Sequence, residues 1–133
     1  MLKAELKKIP YIERRIRHKR ELIEELMALA SGTTIAVHGE KIQTSRQADR
    51  MAEYVIKAAD ISKQIELDLN RLLALQADAI ALFDFLPPIE QELMELRYLN
   101  GYTWERIAVE MHYSFRQVLR LHGEILLKLF PNE

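Results

Sequence analysis

LPPIEQELMELRYLNGYTWERIAVEMHYSFRQVLRLHGEILLKL, residues 86–129, is the stretch that decides the fold. Two turn signals cut it into three short helices. Asn100-Gly101 is a strong turn dipeptide, and Met111-His112-Tyr113-Ser114 makes a second corner. Thr103 and Ser114 stand where the next helices begin, and a hydroxyl there accepts from an amide two or three residues on. The apolar spacing agrees. Ile89, Leu93, Leu96 and Leu99 share a face of the first helix. Trp104, Ile107, Ala108 and Met111 share a face of the second, and Val118, Leu121, Ile125, Leu126 and Leu129 share one of the third. Steps of three and four residues are the mark of a helical stripe. Ala108 is small where two helices would cross, and Val118 faces inward, as a helix-turn-helix requires. The outer face of the last helix then carries Phe115, Arg116, Gln117, Leu119 and Arg120. Arginine and glutamine are suited to hydrogen-bond base edges in a major groove.

These residues carry a resemblance. Residues 86–129 look like the fourth conserved region of bacterial sigma factors, the helix-turn-helix that reads a promoter. The phrases ELRYLNGYTWERIAVEM (95–111) and YSFRQVLRLHGEILLKL (113–129) are similar, more closely, to the ArpU-like family of phage and prophage regulators. Those are small proteins with a helical N-terminal part and a sigma-like C-terminal helix-turn-helix, implicated in late phage transcription. The resemblance is strong over roughly the last third of the chain, while the rest agrees in helical layout. It implies a late-gene activator in the cytoplasm of a bacterial host, with double-stranded DNA as partner and host RNA polymerase as a further candidate partner. The chain departs from the pattern at the corner, where many such units have glycine and this one has His112. Histidine tolerates a left-handed backbone better than most residues, so the turn is expected to survive.

Composition sets the outer limits. The chain has 133 residues, 49% of them apolar and 29% charged, and no cysteine. Disulfides and thiolate metal sites are excluded, which fits a reducing cytosol. No apolar run reaches the eighteen or so residues of a membrane span, and MLKAELKK (1–8) has no apolar signal core. The formal net charge is −1, which speaks against indiscriminate nucleic-acid binding. Residues 1–30 are net basic, whereas residues 87–133 carry five Lys/Arg against seven Asp/Glu. Affinity for the DNA backbone scales with the phosphates neutralised, so a single copy should bind weakly.

The N-terminal two thirds predict a helical hairpin. Residues 2–30 form one long helix whose seam is Ile9, Ile12, Ile16, Ile23, Leu26 and Ala30, with Lys19 in the one polar slot. Pro10 either starts the regular helix or kinks it. The basic run Glu13–Arg20 is a solvated face, a supplementary phosphate contact or a partner surface. Residues 31–46 break the pattern with Gly32, Thr33, Thr34, Gly39, Thr44 and Ser45, and predict a loop in which Ile35-Ala36-Val37 makes a short extended piece. Residues 47–85 form the second long helix, with Met51, Tyr54, Ala58, Ile61, Ile65, Leu72, Leu75, Ala79 and Leu82 as its seam and Asp68 interrupting it. Lys19 and Asp68 either fix register or oligomer state or merely sit at the edge. Leu86-Pro87-Pro88 ends that helix, dividing an oligomerising hairpin (1–85) from a DNA-binding unit (86–133).

Enzyme signals are poor. The chain has no Gly-rich phosphate loop, no His-Glu-x-x-His and no nucleophile elbow. His18, His38, His112 and His122 are scattered, so neither a metal nor a cofactor is implied. The expectation is an all-α, non-enzymatic regulator that binds a specific duplex sequence as a homodimer or higher homo-oligomer. Arg116 and Arg120, four apart on one face, are the leading base-reading candidates, followed by Gln117. Phe115 would touch a thymine methyl or a sugar. Ser114 and Thr103 would cap their helices and meet phosphate, joined by Trp104 and Lys128. Gly123, inside a helix, suggests close approach by another helix. Two rivals use the same layout: a DNA-recognition subunit of a phage packaging machine, similar to a small terminase, and a coiled-coil adaptor whose C-terminal unit binds protein.

Overall fold

The computed structural model describes residues 1–32 and 45–133. Among them are five helices: α1 Lys3–Ser31, α2 Ser45–Phe83, α3 Pro88–Tyr98, α4 Trp104–Met111 and α5 Phe115–Leu129. The chain is all-α, with a long α1·α2 hairpin followed by three shorter helices that pack together. Most of the expected 31–46 loop, including Ile35-Ala36-Val37 and His38, lies outside the described residues. Helix α1 keeps Ser31, and α2 begins at Ser45, slightly before the expected position.

The three-four periodicity places the seams correctly. Ile9, Ile12 and Ile16 on α1 and Ala58, Leu72 and Ala79 on α2 are buried. Pro10 lies inside α1 and does not start it. The two polar seam residues meet each other: Lys19 Nζ lies 2.6 Å from Asp68 Oδ2, with both side chains more than four-fifths covered. They therefore act within the hairpin and fix which residues of α1 face which residues of α2.

By contact density the chain falls into two compact units, residues 14–70 and residues 1–13 with 71–133. The second unit holds the larger core. Leu6 and Ile9 from α1 and Phe83 from α2 are fully buried, as are Leu93, Met94, Ile107, Val118 and Ile125 from the three short helices. On α3 the buried face is turned from the one the sequence predicts. Leu93, Met94 and Tyr98 are buried, whereas Ile89 is half exposed and Leu96 only partly covered. Pro87 and Pro88 start this helix at a phase that puts Glu90, not Ile89, on the covered side.

Both corners form as their chemistry requires. Gly101 has φ +71, a left-handed conformation, and the amides of Asn100 and Tyr102 donate back to the carbonyls of Glu95 and Leu96. A Cβ at Gly101 would also stand 2.8 Å from the Glu13 carboxylate. His112 is left-handed as expected, at φ 57 and ψ 38. Its amide and that of Tyr113 close α4 onto the carbonyls of Val109 and Ala108, the hydrogen-bond pair that usually ends a helix at glycine.

Gly123 corrects an expectation. A Cβ built there meets nothing within 4 Å, so among the described residues no other helix approaches it. Glycine in an open helix interior costs about 1 kcal/mol relative to alanine. Gly123→Ala should therefore raise the unfolding free energy by about that amount, seen in a urea titration followed by circular dichroism. Unchanged or lower stability would mean the backbone at residue 123 is not helical in solution.

Candidate nucleic-acid interface

The geometry of α5 follows from its first residue. Ser114 Oγ accepts from the Gln117 amide at 3.1 Å, and Gln117 Oε1 accepts from the Ser114 amide at 2.9 Å. This reciprocal capping box satisfies two donors that the helix start would otherwise leave open. Gln117 is thus turned back onto the helix start, and touching a base would cost it that bond. The Ser-x-x-Gln pattern was readable in the sequence, but the glutamine's preference for the backbone over the exterior was not. Thr103 caps α4 in the same way, with Oγ1 accepting from the Arg106 amide at 3.2 Å.

Val118, Ile125 and Leu126 hold α5 against the unit. Phe115, Arg116, Leu119 and Arg120 are exposed on the opposite side, in the phase the sequence predicts. Arg120 lies 4.0 Å from Glu124 one turn on, and both side chains are well exposed. A pair of this kind is worth about 0.3–0.5 kcal/mol, so it holds the arginine only lightly. Lys128 is engaged more firmly. Its Nζ sits 2.8 Å from both carboxylate oxygens of Glu90, and a phosphate would have to compete with that contact.

Trp104 is half-buried at the start of α4. Its ring centroid is 4.5 Å from that of His122, and the Arg97 guanidinium stacks 4.2 Å above it. Arg97 also donates to the Tyr102 carbonyl at 3.0 Å, and Arg106 stacks 3.7 Å above the Tyr102 ring. Helical spacing alone does not single out Arg97 or Arg106. Their signal was available as arginines beside the aromatic pair Tyr102 and Trp104, a setting for cation–π stacking.

Beneath this surface the three short helices share one polar junction. The Tyr98 hydroxyl and His122 Nε2 are 2.7 Å apart, linking α3 to α5. Burial raises the Tyr98 pKa to about 12, against a smaller lowering by Arg97. Burial also lowers that of His122 to about 4, helped by the charges of Arg97, Lys7 and Lys3. At neutral pH the imidazole is uncharged and the tyrosine keeps its proton. Neither residue was singled out by spacing, although both continue the inner stripe of their helices.

Among the described residues, no group of three or more His, Asp or Glu side chains is placed to hold a metal ion. None of their helices is long and apolar enough to cross a membrane. No protein-family model, no curated protein and no solved structure matches this chain.

Proposed function

We propose that the chain binds a specific double-stranded DNA sequence and regulates transcription, with α5 entering the major groove. One observation carries this. The outer side of α5 presents Arg116 and Arg120 with Phe115 and Leu119, while the inner side is buried and a capping box fixes the helix start. A rigid helix with donors on its free face meets the geometric demand of base reading. Arg116 and Arg120 are the base readers, and Phe115 and Leu119 pack on thymine methyls or sugars. Thr103, Ser114 and the stacked arginines at the start of α4 position the backbone. The sigma-like phrasing of residues 86–129 adds the narrower reading, a phage or prophage late-gene activator working beside host RNA polymerase.

Selection of bound duplexes from a random pool tests the proposal. A preferred motif should emerge, and Arg116→Ala should weaken its binding about tenfold to a hundredfold. Helicity and melting temperature should not change, because that side chain is exposed. A pool that yields no motif at low salt, or a variant that binds like the parent, removes α5 from the groove.

A second reading rests on a different observation. Val109, Phe115 and Leu119 are exposed apolar side chains, and residues 87–133 are slightly acidic. That combination suits a protein partner. Salt separates the two readings, since phosphate contacts weaken steeply as salt rises and an apolar contact does not.

A further inference from the structure

Residues 14–70 form a compact unit with little core of its own. Ile16 and Ala58 are its buried apolar residues among those described, while Ile23, Leu26, Tyr54, Ile61 and Ile65 stay only partly covered. The Lys19–Asp68 pair takes up one further layer of the seam. Two helices alone cover only a narrow stripe of each other, whereas helices in a globular unit bury a wider one.

The uncovered strip beside this seam has a definite pattern. Arg20 and Met27 directly follow seam residues of α1, and Glu24 lies between them. On α2, Val55, Ala59 and Glu66 hold the same place after Tyr54, Ala58 and Ile65. All six are exposed, Met27 and Val55 at 46% each. Residues that directly follow the seam fall on the same side of the hairpin. Glu13 and Gln76, which hold that position after Ile12 and Leu75, are hydrogen-bonded across it at 3.3 Å.

We infer that this edge docks a second copy of the chain, making a four-helix bundle about a two-fold axis that runs along the hairpin. Helix α1 of one copy then lies antiparallel to α2 of the other. The register that Lys19 and Asp68 set inside the hairpin, carried across the axis, puts Arg20 opposite Glu66 of the partner subunit. It puts Met27 opposite Ala59 of the partner subunit. The charged pairing is attractive, and the large apolar side chain meets the small one. The two-fold repeats each pairing, as a self-complementary interface requires. The partly covered isoleucines and leucine of the seam become the core of the bundle. This inference does not depend on what α5 binds.

The chain has no cysteine, so introduced thiols report cleanly. Sedimentation equilibrium on the full chain should give a dimer at micromolar concentration. Arg20→Glu or Glu66→Arg alone should weaken it at least about tenfold, and the two together should restore it. Chains carrying only Met27→Cys, mixed with chains carrying only Ala59→Cys, should form disulfide-linked pairs under mild oxidation. Helicity, followed by circular dichroism, should hold in every variant, since the altered side chains are exposed. A monomer at high concentration overturns the inference. So does a dimer indifferent to both charge reversals, or one in which the mixed cysteines fail to link.

Discussion

Residues 86–133 produced alone are expected to show little helix and no cooperative melting. Phe83→Ala in the full chain should cost about 3–5 kcal/mol. Both follow from where the core of the C-terminal unit sits. Phe83 is fully buried, with its ring centroid 6.1 Å from that of Tyr98. Leu6 and Ile9 are equally buried in the same compact unit. Gln76 donates to the Tyr98 carbonyl at 3.3 Å, and the Glu13 carboxylate lies against Gly101. Removing residues 1–13 and 71–83 therefore strips side chains from the centre and leaves helices of 11, 8 and 15 residues. Such lengths are marginal in water without packing partners. A domain's whole stability is about 5–15 kcal/mol, so the Phe83 substitution removes a large part of it. Urea titrations of the parent and variant, with a thermal scan of the fragment, check both expectations. A fragment that melts as sharply as the full chain would show that the three short helices fold unaided.

The second large effect is loss of stability in mild acid. The folded-state pKa of His122 lies near 4, below its ordinary 6.5. Between those values the unfolded chain binds a proton that the folded chain refuses. The contribution is fully present above about pH 6.5 and is lost as pH falls towards 4. The side chain is partly open to solvent, which reduces the effect to about 1–3 kcal/mol. Protonation also puts a charge beside Arg97, Lys7 and Lys3 and removes the imidazole's ability to accept from Tyr98. His122→Gln should flatten this window relative to the parent in denaturation curves taken at successive pH values. A parent and variant with parallel profiles from pH 7 to 4 would mean that His122 titrates as if exposed. Tyr98 acts at the other end. Its pKa, raised from 10.0 to about 12, gives a contribution that is present below pH 10 and fades as pH rises through 12.

How far the sequence could be read depended on whether a feature was local. The seams of α1 and α2 were legible because three-four spacing persists over many turns, and burial at Ile9, Ile12, Ile16, Leu72 and Ala79 follows it. Lys19 and Asp68 were visible as interruptions, but their meeting was not, because pairing depends on how two distant helices align. Helix α3 lies where the sequence predicts it, but its buried face is turned. Eleven residues hold too few turns to choose between a stripe through Ile89 and one through Met94 and Tyr98. Gly123 suggested crowding within the chain, yet the space around it is open. On α5, outward exposure of Arg116 and Arg120 could be read from periodicity. The turning-in of Gln117 and the tether of Lys128 to Glu90 could not, since both depend on which polar groups a folded chain brings within reach.

The unit that carries the three short helices is assembled from two distant parts of the polypeptide, residues 1–13 and 71–133. On the ribosome the first part emerges long before the second, so Leu6 and Ile9 remain without their final neighbours until the short helices have been made. Contacts spanning such a separation form slowly. The three short helices therefore cannot close their core until α5 has been made, and any pause in elongation before then leaves an oily amphipathic segment waiting for its cover.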